Sequence, residues 1–164
     1  MNASDLQAAA AISAVLVAGE NALAHAIALA MTGAGIRVVT DYVAVDSVVC
    51  CVVARPGVKQ LLADLDEAVF RTGIQNSLEA TFRVSRKALP HLLARKGSLV
   101  YCVAGDDDIC VQAVQTLMRG IVYQYGPQGV RANLVKAGTD VKAAAALVRF
   151  LVSGDASFMN GATL

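Results

Sequence analysis

The chain has 164 residues, 56% of them apolar and 16% charged, with a net charge of +1. That length suits one domain, 1–164, with a sizeable core, while ordinary globular domains are roughly 45–50% apolar and about 25% charged. The balanced charge gives no electrostatic reason for a nucleic-acid or acidic-membrane partner, and the apolar excess implies buried parallel strands and helices whose outer faces are covered by oligomerisation.

In chain order, the run from Ala8 to Ala18 has no basic residues before it and is too short to span a bilayer. Its second half, Ala14 to Ala18, reads as a buried strand ending at Gly19. Asn21 to Thr32 is helical in propensity and is stopped by Gly33 and Gly35. Ile36 to Thr40 is a β-branched second strand ending at Asp41, and Ser47 to Val53 is a third. Val58 to Phe70 predicts a helix. A longer one is expected over Gln75 to Arg95, with Pro90 kinking or shortening it. Ser98 to Ala104 is the next strand, Ile109 to Tyr125 a helix, Val130 to Val135 a strand, Val141 to Val152 a helix, and the last residues a strand stub. This alternation predicts an α/β protein, a doubly wound parallel sheet flanked by helices.

Four cysteines fit neither zinc-ligand nor secreted-disulfide spacing and point to a reducing cytoplasm. Cys50 and Cys51 are consecutive on a strand, so they face opposite sides and pack in the core rather than share a site. Asp106, Asp107 and Asp108 precede an apolar-periodic helix and read as its cap, not as a metal site. Arg83, Arg86, Lys87, Arg95 and Lys96 form a basic run on one helix, a solvated face. His91 lies near a helix end, where partial charge is favourable.

The stretch Tyr125-Gly126-Pro127-Gln128-Gly129-Val130-Arg131-Ala132-Asn133-Leu134 resembles the helix-to-strand passage of the short-chain dehydrogenase/reductase family, where a YGP-like turn leads into GVRxN. Asn76 to Phe82 followed by Arg86 to Leu92 is similar to that family's central helix, and Gly97-Ser98-Leu99-Val100 to the strand after it. Phe150 to Gly161 resembles its FLxSDxASxxxG-type C-terminal segment. The resemblance covers Val15 to Leu164 and is nearest to 3-oxoacyl thioester reductases. It implies a Rossmann-like sheet.

Measured against that family, the functional parts are degenerate. Its TGxxxGxG turn corresponds to Ala18-Gly19-Glu20-Asn21-Ala22-Leu23-Ala24, one residue shorter. Ala22 and Ala24 replace glycines, and the carboxylate of Glu20 stands where phosphate oxygens would lie. Gly19 and Asp41 remain as vestiges of the cofactor site. Asp41 matches the acidic residue that bonds the adenosine ribose, or is a solvated turn residue. His25, where the family often has Arg, either faces phosphate or caps its own helix surface. The NNAG motif falls on Cys50-Cys51-Val52-Val53. The catalytic Ser slot falls on Val103 or Ala104, the Tyr slot on Asp107 and the Lys slot on Val111; Asn76 alone matches. Tyr123 is sixteen residues from the Tyr slot, roughly 24 Å along a helix. Tyr101 has no Lys nearby to lower its phenol from pKa ~10. The third strand–helix unit, the substrate lid and the end of the last strand are all missing.

What the resemblance implies is a catalytically inactive subunit that serves as structural partner of an active dehydrogenase paralogue handling acyl thioesters, with no cofactor of its own. In the family the two long helices form a four-helix dimer core. Ala80, Val84, Ala88 and Leu92 on the first, and Val114, Leu117, Ile121 and Tyr125 on the second, are therefore the expected homo- or hetero-oligomer interface. Two alternatives stand beside this reading. One is an NAD(P)-dependent oxidoreductase with a rearranged site using Asp107 or Tyr101. The other is a non-catalytic module that holds a ligand in the crevice at the strand C-termini.

Overall fold

Strands that are apolar on both sides must be covered on both sides, and the architecture follows from that requirement. The computed structural model describes residues 14–54, 62–105 and 108–164. In it, β1 (Ala14–Ala18), β2 (Arg37–Val39), β3 (Ser47–Val53), β4 (Ser98–Ala104) and β5 (Arg131–Ala137) form one parallel sheet in the order β2-β1-β3-β4-β5. The chain steps outward from β1 to β2 and returns to the other side of β1 at β3. The topological switch point therefore lies at the C-terminal ends of β1 and β3, where open α/β sheets bind ligands.

Alternate residues of β3 and β4 enter two separate cores. Val48, Cys50, Val52, Leu99, Tyr101 and Val103 pack under the helices α3 (Ala80–Arg95) and α4 (Asp108–Tyr125). Val49, Cys51, Val100 and Cys102 pack under α1 (Ala22–Gly33) and α5 (Val141–Val152). Cys50 and Cys51 thus face opposite sides of the sheet, as expected for consecutive strand residues. All four cysteines are free and buried.

The doubly wound α/β expectation holds, with shifts at element ends. The second strand is shorter than Ile36 to Thr40, and the fifth runs on to Ala137. Residues 40–46 join β2 to β3 without a helix, and residues 138–140 join β5 directly to α5. The expected helix Val58 to Phe70 is corrected. Its first residues lie outside the described ones, and after a short 3-10 turn at Leu62–Asp64 a helix, α2, begins only at Glu67. Asp66 caps it by accepting from the N–H groups of Ala68 at 2.8 Å and Val69 at 3.1 Å, which sets the start. α2 (Glu67–Ile74) runs through a π-helical turn at Gln75–Glu79 straight into α3. Pro90 does not shorten α3, which continues to Arg95; Pro90 lies on the exposed face.

Two polar clusters tie the sheet to its surroundings. At the start of β3, the Asp46 carboxylate accepts from Ala14 N at 2.9 Å and from Arg95 Nε at 2.6 Å, and its backbone carbonyl accepts from Ser98 N at 3.0 Å. At β5, the Arg131 guanidinium donates to the carbonyls of Leu151, Ala156 and Met159, Ala156 being nearest at 2.8 Å. Buried Asn133 donates to Met159 O at 3.1 Å and accepts from Ala162 N at 2.9 Å. The GVRxN residues therefore anchor the C-terminal segment, whose Thr163 pairs in parallel with Leu134 as the expected strand stub. Hydrogen bonds to a charged donor contribute about 1.5–3 kcal/mol. Arg131→Met is accordingly expected to lower unfolding free energy by about 2 kcal/mol in urea titration. It should also speed amide exchange selectively over residues 153–164; uniform exchange change across the chain would contradict this anchoring role.

Candidate functional site

At the switch point a crevice of about 700 Å³ opens between the C-terminal ends of β1 and β3 and the π turn, lined by residues that include Gly19, Glu20, Asn21, Cys50, Asn76, Glu79 and Arg83. Its floor is set by one close approach. Gly19 adopts φ +138°, and a Cβ there would lie 2.6 Å from the carbonyl oxygen of Cys51. Only glycine accepts both the dihedral and the contact. Asn21 then clasps the turn. Its Oδ1 accepts from Ala24 N at 2.9 Å, capping α1, while its Nδ2 donates to the same Cys51 carbonyl at 3.0 Å. The helix N-terminus aimed at the crevice is therefore capped by the chain's own side chain. Glu20 is exposed beside it, with no ion pair among the described residues.

The π turn supplies the opposite wall. Asn76 is exposed on it and faces the crevice, and Arg83 is ion-paired with Glu79 one turn away. On the buried side of this segment Ser77 Oγ donates to Gly73 O at 2.6 Å, Thr81 Oγ1 to Ser77 O at 2.6 Å and Ser85 Oγ to Thr81 O at 2.7 Å. Such back-bonding by small hydroxyls loosens and bends a helix, and π bulges concentrate at functional sites. The seam ends at Tyr101, whose phenol is 2.7 Å from Ser85 Oγ. Tyr101 is fully buried, and burial pushes its phenol above the ordinary value of 10.0. A rearranged site built on Tyr101 is therefore corrected: its hydroxyl points into the core and does not line the crevice.

The other expected site residues divide. Gly19 and Asn76 reach the crevice. Asp41 does not line it; its Oδ1 accepts from Val43 N at 3.0 Å within its own turn. His25 is exposed on α1, and His91 stacks on Tyr42 at 6.1 Å between ring centroids. Asp107, in the Tyr slot, lies outside the described residues, as does Asp106. Cys50 borders the crevice but is 2% exposed; burial pushes its thiol up to about 12. Cys51 and Cys102 sit directly opposite in register, and the hydrogen bond between them raises the Cys51 thiol while lowering that of Cys102.

A second surface lies on the outside of α3 and α4, a groove of about 510 Å³ lined by residues including Phe82, Arg86, Leu89, Leu93, Leu117 and Tyr125. Here the expected interface is corrected in part. Ala88, Leu92 and Val114 are buried against the chain's own sheet and cannot meet a partner. Val84 is half-buried and Ala80 exposed, both on the crevice side. Of the eight, Leu117, Tyr125 and the buried Ile121 reach the groove. Its outermost apolar side chain is Phe82, 50% exposed, which apolar spacing alone did not select.

Several solved structures share this fold. An oxidoreductase of the short chain dehydrogenase/reductase family from Brucella ovis, in complex with a partially ordered NAD, matches with a TM-score of 0.75 at 17% identity, covering 93% of this chain and 98% of that one. One of the same family from Burkholderia thailandensis matches at 0.74 and 18%, covering 93% and 90%. The enoyl-[acyl-carrier-protein] reductase (NADH) from Aquifex aeolicus VF5 matches at 0.76 and 16%, covering 93% of each chain. In sequence, the chain is 33% identical to protein MoaE of Klebsiella aerogenes over an alignment of 78 positions that covers 42% of this chain and 30% of that protein, so the match spans under a third of that curated relative. No family model matches the chain. At these identities the structural likeness establishes the Rossmann-like fold.

Two outcomes test the geometry of the crevice. Gly19→Ala must relieve both a left-handed φ and the clash with Cys51 O, so it should cost about 2–3 kcal/mol of stability by chemical denaturation; a neutral change would refute the close approach. For Cys50, the folded-state value is raised above the ordinary 9.0. Its stabilising contribution is therefore fully present below pH 9 and is lost as pH rises from about 9 towards 12, by about 1.4 kcal/mol per pH unit for a single thiol. The Cys50→Ala variant should show a shallower fall in melting temperature between pH 9 and 10.5 than the wild type. An identical slope would mean that the thiol is not buried.

Proposed function

We propose that this chain is a non-catalytic subunit with a short-chain dehydrogenase-like fold, acting as a structural partner of an active dehydrogenase, one for acyl thioester substrates being the nearest resemblance. The observation that carries this reading is the chemistry of the crevice. Among the described residues lining it, the ionisable side chains are Glu20, Glu79, Arg83 and the two buried thiols Cys50 and Cys51. None is a phenol, an amine or an imidazole that could exchange a proton with a carbonyl substrate near pH 7, and Arg83 is already paired.

The fit to a dinucleotide is equally poor. A pyrophosphate at this kind of turn needs free helix N–H groups and a backbone without side chains. Here Asn21 caps the helix, Ala22 and Ala24 carry methyl groups, and neither Lys nor Arg stands in the first turn of α1 to offset Glu20. The Brucella ovis relative holds NAD; in this chain the same end of the sheet opposes an anion. What the fold retains is the outward groove of α3 and α4, with apolar side chains half exposed. Surfaces of that kind mark protein contacts.

Isothermal titration of the purified chain with NADH and with NADPH should give no saturable heat up to about 1 mM ligand. Incubation with either nucleotide and a 3-oxoacyl thioester should give no oxidation at 340 nm beyond the blank (order of magnitude as for simple mixing). Turnover by the isolated chain that disappears in Asp107→Asn would overturn the proposal.

A further inference from the structure

The groove on α3 and α4 carries a one-sided charge that narrows what can occupy it. α3 bears Arg83, Arg86, Lys87 and Arg95 and no carboxylate; α4 bears Arg119, and its sole carboxylate residue is Asp108, its first. Arg83 pairs with Glu79, and Arg95 with Asp46. Arg86, Lys87 and Arg119 remain exposed, with no ion pair among the described residues. Arg86 lines the groove itself, among Phe82, Leu89, Leu93 and Leu117. Asp108 precedes the groove residue Thr116 by two helical turns, about 12 Å, so it lies well along the helix from that centre.

Two copies of this chain would meet through an isologous interface, each presenting the same patch to the other. Both would bring Arg86 into the desolvated centre, with Lys87 and Arg119 around it, and neither would bring a carboxylate to the groove. Like charges placed together at an interface are disfavoured and exclude wrong partners. A polyanion such as RNA would satisfy the cations but leave Phe82, Leu89 and Leu93 against water.

We propose that the occupant is a different protein chain, one that offers a helix-pair surface with an apolar centre and Asp or Glu at its rim, opposite Arg86, Lys87 and Arg119. This inference rests on the groove being the subunit interface. It adds that the assembly is hetero-oligomeric, with charge complementarity selecting the unlike chain.

A charge-reversed form of the chain itself supplies the probe. Arg86→Glu, Lys87→Glu and Arg119→Glu change three exposed side chains, leave the core untouched, and give the same apolar groove an acidic rim. In sedimentation velocity at low ionic strength, wild type and the triple variant should each be monomeric alone. An equimolar mixture should form a heterodimer at least about tenfold tighter than either self-association, weakened in about 0.5 M salt. A wild-type homodimer as tight as the mixture would overturn the inference. If Phe82→Asp abolished that homodimer, the groove would still be the interface and only the demand for an unlike partner would fail. Absence of association in every combination would sink both the inference and the interface reading. Binding to polyuridylate that Phe82→Asp left unchanged would instead reassign the three cations to a polyanion.

Discussion

The central pair of strands governs everything else in this molecule. From Ser47 to Val52 and from Ser98 to Val103 every residue is buried, with no solvent-facing side chain on either face. A parallel pair of that kind is stable only when helices cover both sides, and four helices do so, α1 and α5 on one face and α3 and α4 on the other. The sheet's own polar needs are met at its ends. Ser47 and Ser98 bond one another at 2.7 Å where the two strands begin, and Asp46 gathers the start of β1, the start of β4 and Arg95 at the same edge.

Polar side chains elsewhere fasten loops and a helix to the sheet, and among the described residues no buried side-chain donor or acceptor is left unsatisfied. Arg131 and Asn133 hold the C-terminal segment. Asn21 holds the first turn. Ser85 holds α3 to Tyr101 on β4, while the hydroxyls of Ser77 and Thr81 return their bonds to the preceding turn. Breaking such a network exposes a buried donor or acceptor and costs more than the bond itself contributes. A chain can therefore keep these residues for architecture even where the corresponding positions border an empty crevice. Asn76 illustrates the distinction: it is on the π turn and faces the crevice, while the hydroxyl seam lies on the buried side of the same segment.

The strands and most helices could be read from the sequence because apolar runs and glycine stops report them directly, and β3, β4 and α5 match to the residue. The buried face of the long helix could not. Tracing apolar residues at helical spacing selects Ala80, Val84, Ala88 and Leu92. The face that meets the sheet is Ser77, Thr81, Ser85, Ala88 and Leu92. Small hydroxyl residues that return their hydrogen bond to the preceding turn behave as core residues, and a count of hydrophobes passes over them. The same substitution shifts the outward face. Once Ala88 and Leu92 point inward, the outward positions are Phe82, Leu89 and Leu93, offset by part of a turn. Asn21 was equally unreadable as a clasp, because its second partner, the Cys51 carbonyl, is thirty residues away.

These two misreadings bear on function in opposite directions. With four of the expected interface residues buried, the surface proposed to meet a partner is the groove of half-exposed apolar residues in which Arg86 lies. Finding Tyr101 bonded to Ser85 in the core does remove a candidate, since a phenol that burial keeps neutral and that points away from the crevice cannot serve a substrate there. The crevice keeps its volume, with Glu20 exposed beside the first turn and Arg83 already paired to Glu79. The groove, by contrast, has cations left unpaired and apolar surface left wet. Exposed apolar surface of that kind is costly to leave in water and marks protein contacts. On that asymmetry the balance of this fold lies with its outer helices rather than with the end of its sheet.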